Sequence, residues 1–420
     1  MSGLAESVSE RLVYKIYATP VIDSTTEPVA ATDPGSSGGQ VLRHVSHNLS
    51  LTKDNYRPNE KRDDAQQVMG KHGSRTVPGT INGFLSPGTH KDFFAAALRN
   101  TWDAGSALSL DESDFTSVAF DSVAGTATFV SGDPVALGLR VGMVAVFGGL
   151  ATTANNGKRV VILGFSGSNN RIMKIYPSLT TESADTAFTI DTVGKTLDNP
   201  TTIVGQTRYK FAFEVNNPDI DLSRFYTECR IGGFDLSVGV NANVGLNFSL
   251  LGRNRQTLTG AAAPFFTAPT NETSTDIPTG MQGLLMSNGT VLGVATGLNI
   301  KVDTSPQAAK DINPDGLVAD ILLSSFVASG DFTVFLTDGV MLNAFDDETE
   351  LSLLAYLPTS KSDAAPANVF FLPRIKINSN SESETSNAKA IQCQFEAGRY
   401  FGTAPGVAST TLQITDTEIA

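Results

Sequence analysis

Two neighbouring stretches, TRYKFAFEV (207–215) and RFYTECRIGGFDLSVGVNANVGLNFSLLGR (224–253), decide how the rest of the chain is read. In the second, Phe234, Leu236 and Val238 alternate with Asp235 and Ser237, and Leu246, Phe248 and Leu250 alternate with Asn247 and Ser249. A period of two sends successive side chains to opposite faces of a sheet, one buried and one wet. Working outward, LRHVSHNLSLTKD (42–54) has the same texture, and RTVPGTINGFLS (75–86) resumes it after a long polar interval. PGTHKDFFAAALRNTW (87–102) comes next, with Phe93, Phe94, Ala97 and Leu98 at helical spacing and Thr89 placed to cap. This helix is expected to cover a sheet, with Trp102 packing at its end.

At 420 residues the chain exceeds the usual single-core size, so more than one domain is expected. From about 110 to 197 the texture changes to short apolar runs punctuated by Gly, Asn-Asn-Gly and Asp-Pro, which reads as a small inserted all-β domain. Residues 1–41, rich in Pro, Gly, Ser and Thr, read as an arm or linker. Two faint internal matches keep the same order in both halves: GTINGFLSPG (79–88) with GDFTVFLTDG (330–339), and LRHVSHNLSL (42–51) with CRIGGFDLSV (229–238). The fold expected is mainly β: sandwich or barrel units with short flanking helices, tandemly duplicated, plus the insert. The first unit takes 42–109 and 198–226, the outward-facing insert 110–197, and the second unit 227–420.

Taken in order, these segments resemble the major tail tube proteins of siphophages, the long-tailed bacteriophages with non-contractile tails. The aromatic-rich strand, the arginine-bearing strand and the alternating pair of 207–253 are similar to that family's central signature. Residues 42–98 resemble its N-terminal strand, stacking loop, strand and helix, and GDFTVFLTDGVMLNAFDDETELSLLAYL (330–357) with NVFFLPRIKI (368–377) resembles its closing part. The resemblance implies a structural subunit, not an enzyme, assembling in the virion into stacked rings around a channel for genomic DNA. Partners implied are other copies of the chain, three with pseudo-sixfold symmetry or six, together with the tape measure, tail terminator and distal tail proteins. Synthesis would be in the host bacterial cytoplasm. The loop 53–75 carries both signs of charge in Lys53, Asp54, Arg57, Glu60, Lys61, Arg62, Asp63, Asp64 and Lys71, which are the candidate inter-ring contacts.

Other chemistries find little support. A net charge of −13 argues against tight phosphate binding, though DNA could pass without adhering. Cys229 and Cys393 are too few for a disulfide framework and are read as reduced. His44 and His47 are expected on opposite strand faces, unlike a helical metal pair. GSSGG (35–39) lacks the strand of a nucleophile elbow, DIDLS (219–223) meets Arg224 where a calcium loop needs glycine, and Gly194-Lys195-Thr196 lacks the upstream glycine of a phosphate loop. Asp346, Asp347 and Glu348 read as a solvated helix end. No cofactor, metal or membrane span is expected. The alternatives are another β-rich phage structural protein (tail terminator, hub or capsid decoration) and a carbohydrate-binding adhesin whose insert would present Phe115, Phe120, Phe147, Phe165 or Tyr176.

Overall fold

The computed structural model describes residues 9–17, 34–292, 295–312, 314–337, 339–385 and 388–419. The protein is mainly β, with antiparallel sheets and few helices. Its main sheet includes β1 (Arg11–Ile16), β2 (Ser46–His47), β3 (Lys71–Phe84), β4 (Phe211–Asn217), β5 (Leu222–Gly239), β6 (Gly245–Gly252), β7 (Ala295–Asp303), β8 (Val327–Phe335), β9 (Leu351–Pro358), β10 (Ala367–Thr385) and β11 (Ala388–Ala397). Helix α1 (Lys91–Leu98) follows β3, and α2 (Val340–Asp346) follows β8.

Eight of these strands form one antiparallel ladder in the order β2–β3–β6–β5–β7–β8–β11–β10. The second four strands repeat the first four. In each set a strand leads into a helix (β3 into α1, β8 into α2), and the last strand is long and bent, its N-terminal half pairing outside the ladder with β4 or β9. The repeat holds to the residue. The β5–β6 pairing skips Gly232 between Ile231 and Gly233, and the β10–β11 pairing skips Asn378 between Ile377 and Ser379. Bulges of this kind are specific local features, so their coincidence fixes the register between the halves. The pair Gly79–Gly330 from the sequence match falls into step with it, since Gly79 pairs with Leu250 and Gly330 with Phe395. The second sequence match does not: residues 42–51 and β7 hold equivalent places, His47 facing Ile81 as Leu298 faces Phe332, whereas 229–238 lies in β5, the twin of β10.

Two sequence expectations need correction here. The boundary at 226/227 cuts β5 in mid-strand, and the second set of four begins only at β7. Within the expected arm, RLVYKI forms β1, which pairs with both β4 and Gln40–Val41, because Leu12, Val13 and Tyr14 are buried there. Residues 1–8 and 18–33 of the arm lie outside the described residues.

Helix α1 buries six consecutive residues, Phe93 to Leu98, under the ladder. Phe94 meets Phe234, Phe248 and Phe370 edge to face, and Phe93 does the same with Phe211 and Phe248, so one aromatic core spans both halves. His90, not Thr89, stands at the cap, and the Thr89 hydroxyl bonds that of Thr273. Trp102 closes the helix by donating from Nε1 to the Lys91 carbonyl at 3.0 Å. Helix α2 buries only Met341 and Ala344.

A separate eight-stranded sheet lies between Ser109 and Thr192, with its own core in which Phe115 stacks on Phe129 and Phe120 meets Phe147. Val141, Val144 and Val161 dock it onto Leu354, Tyr356, Val369 and Phe371 of β9 and β10. Of the adhesin candidates, Phe115, Phe120 and Phe147 are buried in that core and Phe165 and Tyr176 are packed against the docking cluster, so they offer no aromatic platform.

Candidate functional site: a polar sheet face, its hairpin loops and its open edges

Along the ladder, one face is apolar and packed under α1, and the other alternates with it as a band of amides and hydroxyls. Thr80 and Asn82 (β3), Asn247 and Ser249 (β6), Ser237 (β5), Asn299 (β7), Thr333 (β8), Gln392 and Gln394 (β11), and Ser379 and Ser381 (β10) form this band. The two asparagine strands bracket the halves in register, with Asn82 opposite Asn247 and Asn299 opposite Asp331. Cross-strand hydrogen bonds tie the band: Asn299 Nδ2 to Asp331 at 3.1 Å, Gln392 Nε2 to Asp331 at 3.1 Å, Asn82 Nδ2 to Ser46 Oγ at 3.0 Å, and Ser379 Oγ to Gln394 Oε1 at 3.0 Å. Its charges are sparse: Asp235, Asp303, Asp331 and Glu396 against Lys301 and Lys376. Such a surface stays wet but offers no basic stripe for phosphates.

Each half also carries one long hairpin loop. Thr52 pairs with Thr76 and Asp303 with Val327, so the same number of residues is enclosed in each. In the first, 53–75, every expected contact residue lies on one projecting hairpin. Lys53, Arg57, Glu60, Lys61, Arg62, Asp63, Asp64 and Lys71 are exposed, and Asp54 is half-buried. Arg62 pairs with Asp64 at 3.1 Å, and burial being absent, that bond and the Gln66 amide hold the Asp64 carboxyl below its usual range. At the base, Asp54 meets Lys310 at 2.6 Å and the Arg75 amide donates to the Gly316 carbonyl, so the two loops touch.

The second loop, 304–326, was not legible as a twin because its composition differs. It is clamped to the first half by buried charges. Lys210, fully buried, lies 2.9 Å from Glu228 Oε2 and 3.0 Å from Asp320 Oδ1. Arg253 reaches Glu228 Oε1 at 2.8 Å and the Val318 carbonyl at 2.6 Å, and Arg230 reaches Asp320 Oδ2 at 3.1 Å. Every charge has an opposite neighbour, which is the condition for buried ions to be tolerated. Glu228 holds a left-handed φ of 48°, a strained setting for this residue, kept by the two cations on its carboxylate.

The remaining candidates from the sequence form no site. His44 and His47 do not part: the chain bends before the two-residue strand β2, the rings lie 5.9 Å apart, and both turn toward Glu10, with His47 Nε2 at 2.8 Å. Burial lowers the His47 pKa, so the ring is neutral near pH 7. Among the described residues no group of three His, Cys, Asp or Glu side chains could hold a metal, and no helix is long and apolar enough to cross a membrane. Glu348 pairs with Lys376 at 2.6 Å in the open. Both cysteines are buried and free, and that burial pushes the Cys229 thiol well above its ordinary range and the Cys393 thiol up to about 11, which keeps them unreactive thiols.

The ladder thus carries one polar face that repeats twice, and each of its end strands pairs with a single ladder neighbour. A family model described as phage tail tube protein matches residues 11–397. The chain belongs to that family. No curated protein matches it beyond that. As a tail tube protein it has a structural role, in a family that is generally not enzymatic, and it is a component of the virion.

Proposed function

We propose that this protein closes into rings that stack into the tube of a long, non-contractile phage tail, and that genomic DNA passes along its bore. The observation that carries the reading is the eight-strand ladder with two in-register four-strand repeats and one continuous polar face. If one chain supplies two equivalent units, three chains complete a ring of sixfold appearance. The amide and hydroxyl band would then face the bore, where sparse charges with a slight acidic excess let phosphates slide without adhering. The hairpin 53–75, with Lys53, Asp54, Arg57, Glu60, Lys61, Arg62, Asp63, Asp64 and Lys71, would meet the adjoining ring, its mixed charges setting register. The sheet between Ser109 and Thr192, docked through Val141 and Val144 onto β9 and the N-terminal half of β10, which pair outside the ladder, would project outward. The tape measure protein would occupy the bore before DNA, with terminator and distal proteins at the ends.

Electron microscopy of the purified protein tests this. Hollow tubes or rings are expected, and a solution of monomers alone at concentrations of tens of micromolar or above would overturn it.

A further inference from the structure

The internal joint between the two halves is a template for the joint between chains. Inside the chain, the last strand of the first four, β5, pairs with the first strand of the second four, β7: Gly233 with Asp303, Asp235 with Lys301, Ser237 with Asn299. At the far end of the ladder the equivalent of β5 is the C-terminal half of β10. Among the described residues this half pairs from Lys376 onward only with β11, which leaves its other edge open. At the near end the equivalent of β7 is the strand through β2, which among the described residues pairs as a strand only with β3; the Tyr226 hydroxyl donating to the Leu49 carbonyl at 3.0 Å is a side-chain contact and adds no strand there. Two exposed edges on one soluble chain are a liability unless something covers them.

We infer that residues 379–384 of one chain pair antiparallel with residues 47–52 of the next, in the register of the internal joint. Gly233 corresponds to Ser379 through the shared bulge, and Asp303 corresponds to Thr52 through the matching hairpins. The register that follows sets Asn380 opposite Leu51, Ser381 opposite Ser50, Glu382 opposite Leu49, Ser383 opposite Asn48, and Glu384 opposite His47 of the neighbour. It is heterologous, so it propagates head to tail, the kind of contact from which a ring is built. It also continues the polar band, because Ser381 and Ser383 fall beside Ser50 and Asn48 as Asp235 and Ser237 fall beside Lys301 and Asn299. The inference rests on the ring reading above.

The Asn48 and Ser50 amides donate to the carbonyls of Thr80 and Pro78 in β3. Their side of the new joint is therefore the close, non-hydrogen-bonded kind of pair, with the short Cα separation that suits a disulfide. The test is the double variant Ser50→Cys with Ser381→Cys, assembled and then oxidised with diamide, read on a non-reducing gel beside electron micrographs of the same sample. A covalent ladder ending at the number of chains in one ring is expected. The register-slipped pair, Ser50→Cys with Ser383→Cys, is expected to give at least tenfold less. Tubes that form but cross-link no better in register than out of it would overturn this inference while leaving the ring reading intact. Monomers without tubes, in the wild-type protein as in the variants, would overturn the ring reading and this inference with it.

Discussion

The hairpin loops 53–75 and 304–326 enclose the same number of residues at equivalent places in the two halves, yet they have opposite fates. The first touches its twin only at its base, through Asp54 on Lys310 and Arg75 on Gly316, and its remaining charges are open to solvent. The second is held down by Asp320 between Lys210 and Arg230, beside Arg253 on Glu228. The same contrast appears in the strands beneath. Following the register, Lys210 and Glu228 correspond to Glu350 and Arg374, a pair of reversed sign that lies exposed. One scaffold thus builds a fixed joint where the halves meet within a chain and leaves a softer, wetter one where chains are proposed to meet. Sequence drift after a repeat is established can divide labour in this way without altering strand order.

The comparison can be broken by experiment, and the largest effect is expected at the buried clamp. Asp320→Ala leaves the buried Lys210 and Arg230 each short of a partner, and should cost about 3–5 kcal/mol in denaturant unfolding. A loss under about 1 kcal/mol would show that the second loop is no more anchored than the first. The next effect is a pH dependence at the root of the Ser109–Thr192 sheet. Burial pushes Asp198 up to about 7 and Asp416 up to about 6. Because the folded state holds these protons more tightly than the unfolded chain, the stabilisation is complete below the ordinary aspartate pKa of about 4 and is lost as pH rises through the folded values. Melting temperature should therefore fall between pH 5 and pH 8, and Asp198→Asn should flatten that slope; an unchanged slope would remove Asp198 from the account. Arg374→Ala, at the exposed twin of the clamp, should cost under about 1 kcal/mol. Smallest of all, Asp64→Ala in the free loop should leave unfolding within about 0.5 kcal/mol of wild type. Replacing 57–70 by a short turn should likewise leave a folded subunit but shorten or abolish tubes in micrographs; full-length tubes would dismiss the loop as the stacking element.

Much of the fold was legible because its signals are local. The alternation through 233–238 and 245–250, the Phe93–Phe94–Ala97–Leu98 spacing and the punctuated texture of the insert each depend on a few consecutive residues. The match between residues 79–88 and 330–339 caught a true equivalence because Gly79 and Gly330 occupy the same place in both ladders. The second match failed because alternating strands resemble one another at any register, and only hydrogen-bond partners tell β5 from β7. The twin loop was hidden by divergence: 304–326 has few charges, and the partners of Asp320 lie far away in sequence at Lys210 and Arg230. The polar face was written in the sequence strand by strand, but that its pieces form one surface is a property of sheet order. Strand β1 was missed because six good strand residues sit inside a stretch whose average composition is that of a linker.

The central claim is that the amide and hydroxyl band lines a bore enclosed by three two-unit chains. A three-dimensional electron-microscopy reconstruction of tubes formed by the purified protein tests it most directly. The account predicts threefold rings with six similar lobes, and Asn82, Asn247, Asn299 and Gln392 facing the channel. Rings of six chains, or a channel lined by the other face of the ladder, would contradict it.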